Sequence, residues 1–131
     1  MIDRRQFLVA GAAAVTLGVS PIVRAQGEAR MYGLIGKLLA APGKRDELIA
    51  VLVDGVSGMP GCLSYIVARD PADANAIWIT EAWDSEASHK ASLGLPQVQS
   101  AIAKGKPLIA GFGERFVTMP VGGHGLVSAK R

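Results

Sequence analysis

Apolar residues recur along this chain with two periods, and the switches between them mark out strands and helices from residue 31 to residue 119. Met31 to Ala41 (MYGLIGKLLAA) alternates with a period near two and predicts a strand, and Pro42-Gly43 is a turn signal. Lys44 to Ser57 sets Leu48, Ile49, Leu52, Val53 and Val56 on one helical face. Asp46 and Glu47 fall in its first turn, where the helix dipole favours acids. Gly58-Met59-Pro60-Gly61 stops that helix. Cys62 to Asp70 alternates again, with Leu63, Tyr65 and Val67 on one side, and Pro71 to Asn75 reads as a loop. Ala76 to Trp83 is a further strand, in which Trp78 and Thr80 face opposite to Ile77, Ile79, Glu81 and Trp83. Asp84 or Ser85 caps a helix that Gly94-Leu95-Pro96 breaks. Pro96 suits the first turn of another helix, which carries Val98, Ala101 and Ile102 inward. Gly111 to Met119 is the last strand, with Phe112 and Phe116 on one face, and residues 120–131 read as a flexible tail.

The order β-α-β-β-α-β is the ferredoxin-like split βαβ plan, an α+β class with helices on one face of an antiparallel sheet. The strands carry large apolar residues on both sides. Trp78, Trp83, Tyr65 and the isoleucines cannot all pack under short helices. The outer sheet face, with residues such as Trp78 or Ile77, is therefore expected to be covered by a second copy of the chain, a homodimer.

Residues 1–25 follow a different plan. Arg4 and Arg5 precede an uncharged run from Phe7 to Val23, and Val23-Arg24-Ala25 offers a cleavage site. This is the three-part layout of an export signal. Asp3-Arg4-Arg5-Gln6-Phe7-Leu8 resembles the twin-arginine signal, which implies delivery to the periplasm by the twin-arginine translocase. An ordinary secretory signal and an uncleaved anchor are the competing readings. The apolar run is short of a spanning helix and is interrupted by Gly11, Gly18, Ser20 and Pro21.

Composition narrows the function further. The 131 residues amount to one domain, half of them are hydrophobic and 19% are charged, which excludes a disordered chain. One cysteine excludes an internal disulfide framework, and two histidines leave little room for a zinc site. The net charge of +3 drops to about +1 once residues 1–25 are removed, because Arg4, Arg5, Arg24 and Asp3 go with them. No basic stripe remains to support nucleic-acid binding.

Three motifs in order, Ala41-Pro42-Gly43-Lys44-Arg45-Asp46-Glu47-Leu48, Met59-Pro60-Gly61-Cys62-Leu63-Ser64-Tyr65 and Glu81-Ala82-Trp83-Asp84-Ser85, resemble the antibiotic biosynthesis monooxygenase (ABM) family, which includes quinol monooxygenases. The resemblance spans about residues 31–119. It implies a dimeric α/β barrel in which two ferredoxin-like sheets pack face to face. It also implies oxygenation of an electron-rich phenol or hydroquinone by O2 with no cofactor and no metal. Many members carry a histidine about nine residues after the tryptophan of the third motif. Ser92 holds that position here, and His89 stands six residues after Trp83.

Such chemistry needs a base, since a phenolate passes an electron to O2 far more readily than a phenol, and a dry aromatic-lined pocket. His89 is the candidate base, set against an exposed helix position beside Ser88 and Lys90. Glu81 either assists it as a second catalytic group or pairs with Arg69 or Arg115 across the sheet. Trp83, Tyr65, Tyr32 and Trp78 are candidate substrate-binding residues, each with strand or core packing as its plainer role. Cys62 reads as a small buried side chain, and His124 lies among glycines in the tail. Two other functions stay open on the same barrel: a non-catalytic ligand-binding or stress-associated dimer, and haem binding or breakdown with His89 as axial ligand.

Overall fold

A computed structural model describes residues 30–126. The export-signal segment, residues 1–25, and the basic end of the tail lie outside the described residues. Four strands alternate with helices in the order β1 (Tyr32–Ala40), α1 (Arg45–Asp54), β2 (Cys62–Arg69), β3 (Ala76–Trp83), α2 (Glu86–Ser92), α3 (Pro96–Gly105) and β4 (Ile109–Thr118). A single 3-10 turn, Lys106–Leu108, joins α3 to β4. The strands form one antiparallel sheet in the order β2-β3-β1-β4, which is the ferredoxin-like α+β topology.

Local chemistry sets the helix ends. Gly43 (φ 77°) turns the chain after β1, and α1 then starts with Asp46 and Glu47 in its first turn. The apolar pattern that runs on to Ser57 is cut at Asp54. There α1 meets α3 so closely that a Cβ on Gly55 would lie 2.6 Å from Ala101 Cβ. Ser85 caps α2 by accepting a 3.1 Å hydrogen bond from the Ser88 amide, and Pro96 opens α3.

The core lies between the sheet and α1. Leu38, Ala40, Leu48 and Ile77 are buried together, with Ile49, Leu52, Val67, Ile79, Leu108 and Ile109 packed around them. Ile77 is thus a core residue on the helix-facing side and is not part of the outer sheet face, contrary to its grouping with Trp78. The strand period of two places these neighbours on opposite faces. Ile102 also departs from its expected inward packing: it is half exposed and lines a cavity.

The last strand carries a second correction. Phe112 lies opposite Leu38, whereas Phe116 lies opposite Ile35, because the β1–β4 register shifts between Gly36 and Leu38. The extra residue breaks the alternation and puts the two phenylalanines on different faces. On the outer face Ile66 and Phe116 remain 55% and 52% exposed.

Candidate functional site

Cross-strand pairing on the helix-facing side of the sheet builds the site in rows. Tyr32 of β1 lies opposite Trp83 of β3. In the next row Glu81 stands between Tyr65 of β2 and Leu34 of β1. The row after that sets Gly36 between Ile79 and Arg115. Opposite residues in an antiparallel pair share a face, so these side chains converge under the helices.

α2 brings His89 down onto that surface. The His89 ring centroid is 5.4 Å from that of Tyr32, tilted by 36°, and 5.4 Å from that of Trp83, edge-on at 71°. Its Nε2 is 3.9 Å from Glu81 Oε1, within ionic range and beyond hydrogen-bond reach. The same carboxylate oxygen accepts a 2.8 Å hydrogen bond from Trp83 Nε1. α2 is held against the sheet at its start, where Gly61 (φ 81°) leaves no room for a side chain. A Cβ there would lie 2.5 Å from Ser88 Oγ.

A cavity of about 760 Å3 opens from this group between the sheet and the helices. Leu34, Ile79, Leu52, Val98, Ile102 and Phe112 supply apolar wall, and Tyr65, Glu81, Trp83, His89 and Arg115 supply its chemistry. Its size and apolar lining suit a small organic ligand held by a few polar groups. Ser92 lines the cavity as well, and its Oγ donates to the His89 carbonyl at 2.6 Å. Positions 89 and 92, three residues apart on one helix, therefore face the same space.

Electrostatics follow from burial. Loss of solvent pushes the Glu81 carboxyl above its ordinary value, and the Trp83 hydrogen bond, His89 and Arg115 oppose that rise. Burial, then the nearby Glu81 charge and Cys62, push the Tyr65 phenol well above its ordinary value. Tyr65 thus stays a neutral hydroxyl in the cavity wall. Burial also raises the Cys62 thiol, against a hydrogen bond to the Ser64 carbonyl and with a further push from Glu81.

The structure brings together five of the six site residues read from the sequence: His89, Glu81, Trp83, Tyr65 and Tyr32. Trp78 is not among them. It occupies the opposite face, where its Nε1 donates to Asp70 Oδ2 at 2.8 Å and Lys37 sits 5.5 Å from its ring. Arg69 does not pair with Glu81 either; it holds Asp46 of α1 at 3.0 Å. Arg115 was named in the sequence only as an ion-pair partner, and its place in the cavity wall was missed. The signal was its alternation within β4, which the bulge obscures.

A ferredoxin-like sheet and the helix α2 bring a histidine, a carboxylate and aromatic rings to one cavity of a small α+β protein. The family model for antibiotic biosynthesis monooxygenases matches residues 31–104, and the chain belongs to that family. A solved structure from Chloroflexus aurantiacus that bears the family's name shares 69% identity and a TM-score of 0.72, covering 73% of this chain and 98% of that one. A relative from Caulobacter crescentus, at 23% identity and TM-score 0.61, covers 74% of this chain and 93% of that one. One from Nitrosomonas europaea, at 15% identity and TM-score 0.61, covers 76% and 94%. No curated protein matches the chain.

Proposed function

We propose that the protein is a cofactor-independent monooxygenase that oxidises a quinol or polyphenol-like aromatic with O2. The observation that carries this reading is the His89–Glu81–Trp83 group at the wall of a largely apolar cavity. His89 takes the proton from a ring hydroxyl. The imidazolium so formed lies beside the Glu81 carboxylate, whose orientation the Trp83 indole fixes. The ring anion then supplies the electrons that reduce O2. One oxygen atom enters the ring and the other leaves as water, so a hydroquinone and O2 give a hydroxyquinone and water with no external reductant. Trp83 and Tyr65 shape the ring-binding wall, and Tyr32 packs against His89. The mostly apolar walls limit the contact of the anion with solvent protons.

Two further statements belong to this proposal. A second copy covers the outer sheet face, where Ile66 and Phe116 are half exposed. Residues 1–25 direct the protein to the periplasm through the twin-arginine translocase, on the strength of Arg4, Arg5, Phe7 and Leu8. The experiment that tests the activity is an oxygen-electrode assay of metal-free protein with a panel of hydroquinones. Uptake above the spontaneous rate supports it. Tight ring binding without uptake favours a ligand-binding protein instead.

A further inference from the structure

The cavity lining carries a cation besides the His89–Glu81 group: Arg115, an exposed side chain of β4. Gly36 lies between Ile79 and Arg115 in the sheet, and a Cβ placed on it would meet nothing within 4 Å. Its backbone has no positive φ, so the glycine is not required by the strand's conformation. What its missing side chain does is leave space over the sheet floor next to Arg115. Lys37, next along β1 from Gly36, turns to the opposite face, where Asp70 and Glu114, each at 4.0 Å, and the Trp78 ring engage it. Arg115 makes no ion pair within 4 Å among the described residues, and it acts on Glu81 only at longer range.

We infer that Arg115 and the opening at Gly36 form a subsite for the carboxylate of an acidic aromatic substrate. A planar guanidinium at an apolar wall binds a carboxylate through paired charge-assisted hydrogen bonds. Glu81 on β3 and Arg115 on β4 lie in neighbouring rows with β1 between them, so a ring lying over Leu34 and Gly36 turns its hydroxyl toward the base and its acid toward Arg115. The substrate class is thus a quinol or polyphenol whose ring also carries a carboxylate. This rests on the cavity being the substrate site proposed above.

The test is equilibrium binding to the full chain under nitrogen, read by tryptophan fluorescence. The ligands are a dihydroxybenzoic acid, its methyl ester and unsubstituted hydroquinone, at about pH 7, where the acid is ionised. The acid should bind about 10- to 100-fold more tightly than the ester. Arg115→Gln should bring the acid's affinity down to that of the ester, and Arg115→Lys should retain part of the preference. Gly36→Val should weaken all three ligands. Equal binding of acid and ester, or a preference that survives Arg115→Gln, overturns the subsite and leaves the ring site standing. Failure of all three ligands to bind overturns both.

Discussion

Trp83 and Glu81, two residues apart on β3, are joined by a 2.8 Å hydrogen bond from the indole Nε1 to the carboxylate Oε1. A strand's alternation puts both side chains on the helix-facing side, and the bond aims a carboxylate at His89 from within an apolar wall. The arrangement costs stability, because burial disfavours the charged form of Glu81.

That cost gives a pH-dependent prediction. The folded chain holds the Glu81 proton more tightly than the unfolded one, whose value is near 4.5. Stability therefore falls as pH rises from the unfolded value through the higher folded value. Glu81→Gln removes this dependence and can still accept the Trp83 hydrogen bond. Its melting temperature should exceed that of the wild type at about pH 8, and the gap should close toward about pH 4. A constant gap across that range would show that burial of the charge is not the cause. Turnover should fall in the same variant, since the imidazolium loses its counter-charge.

The two tryptophans of β3 separate by face. Trp78→Phe loses the bond to Asp70 and should lower stability modestly with turnover retained. Trp83→Phe loses the bond to Glu81 and should lower turnover. Urea melts together with initial rates distinguish the two effects, and equal kinetic losses would contradict the separation.

How far the sequence disclosed this arrangement depended on where its periodicity was unbroken. β3 alternates cleanly, so the period of two puts Ile77, Ile79, Glu81 and Trp83 on one face and Trp78 on the other, and only the grouping of Ile77 with Trp78 on the outer face departs from it. The six-residue interval from Trp83 to His89 gave no assurance that the histidine reached the sheet. The pairing of Tyr32 opposite Trp83, and the Gly61–Ser88 contact that seats α2, decide that, and both are long-range. β4 was misread because a bulge opposite Lys37 shifts register within the strand, and no local residue announces it. The same shift hid Arg115. The 3-10 turn at Lys106–Leu108 is short and proline-containing, and its residues read equally well as helix end or loop.

Assembly is tested on the outer face. Light scattering should give twice the chain mass, with an interface of about 1,600 Å² or more. Ile66→Glu and Phe116→Glu, placed where those side chains are half exposed, should shift the protein to monomer without unfolding it. A wild-type monomer at micromolar concentration would contradict the dimer.

Export is tested at the two arginines. Replacing Arg4 and Arg5 by lysine should abolish delivery to the periplasm in fractionated cells, and the mature protein should begin near Gln26. Unchanged delivery would rule out the twin-arginine route.

On the proposed function, His89 is the base of an oxygen-consuming reaction. The most direct measurement is oxygen uptake by wild type and His89→Ala with the best substrate of a hydroquinone panel, alongside circular dichroism to confirm the fold. Loss of a general base lowers rates by about 10²–10⁴-fold, and that is the fall expected in a folded variant. Undiminished uptake by folded His89→Ala would contradict the assignment.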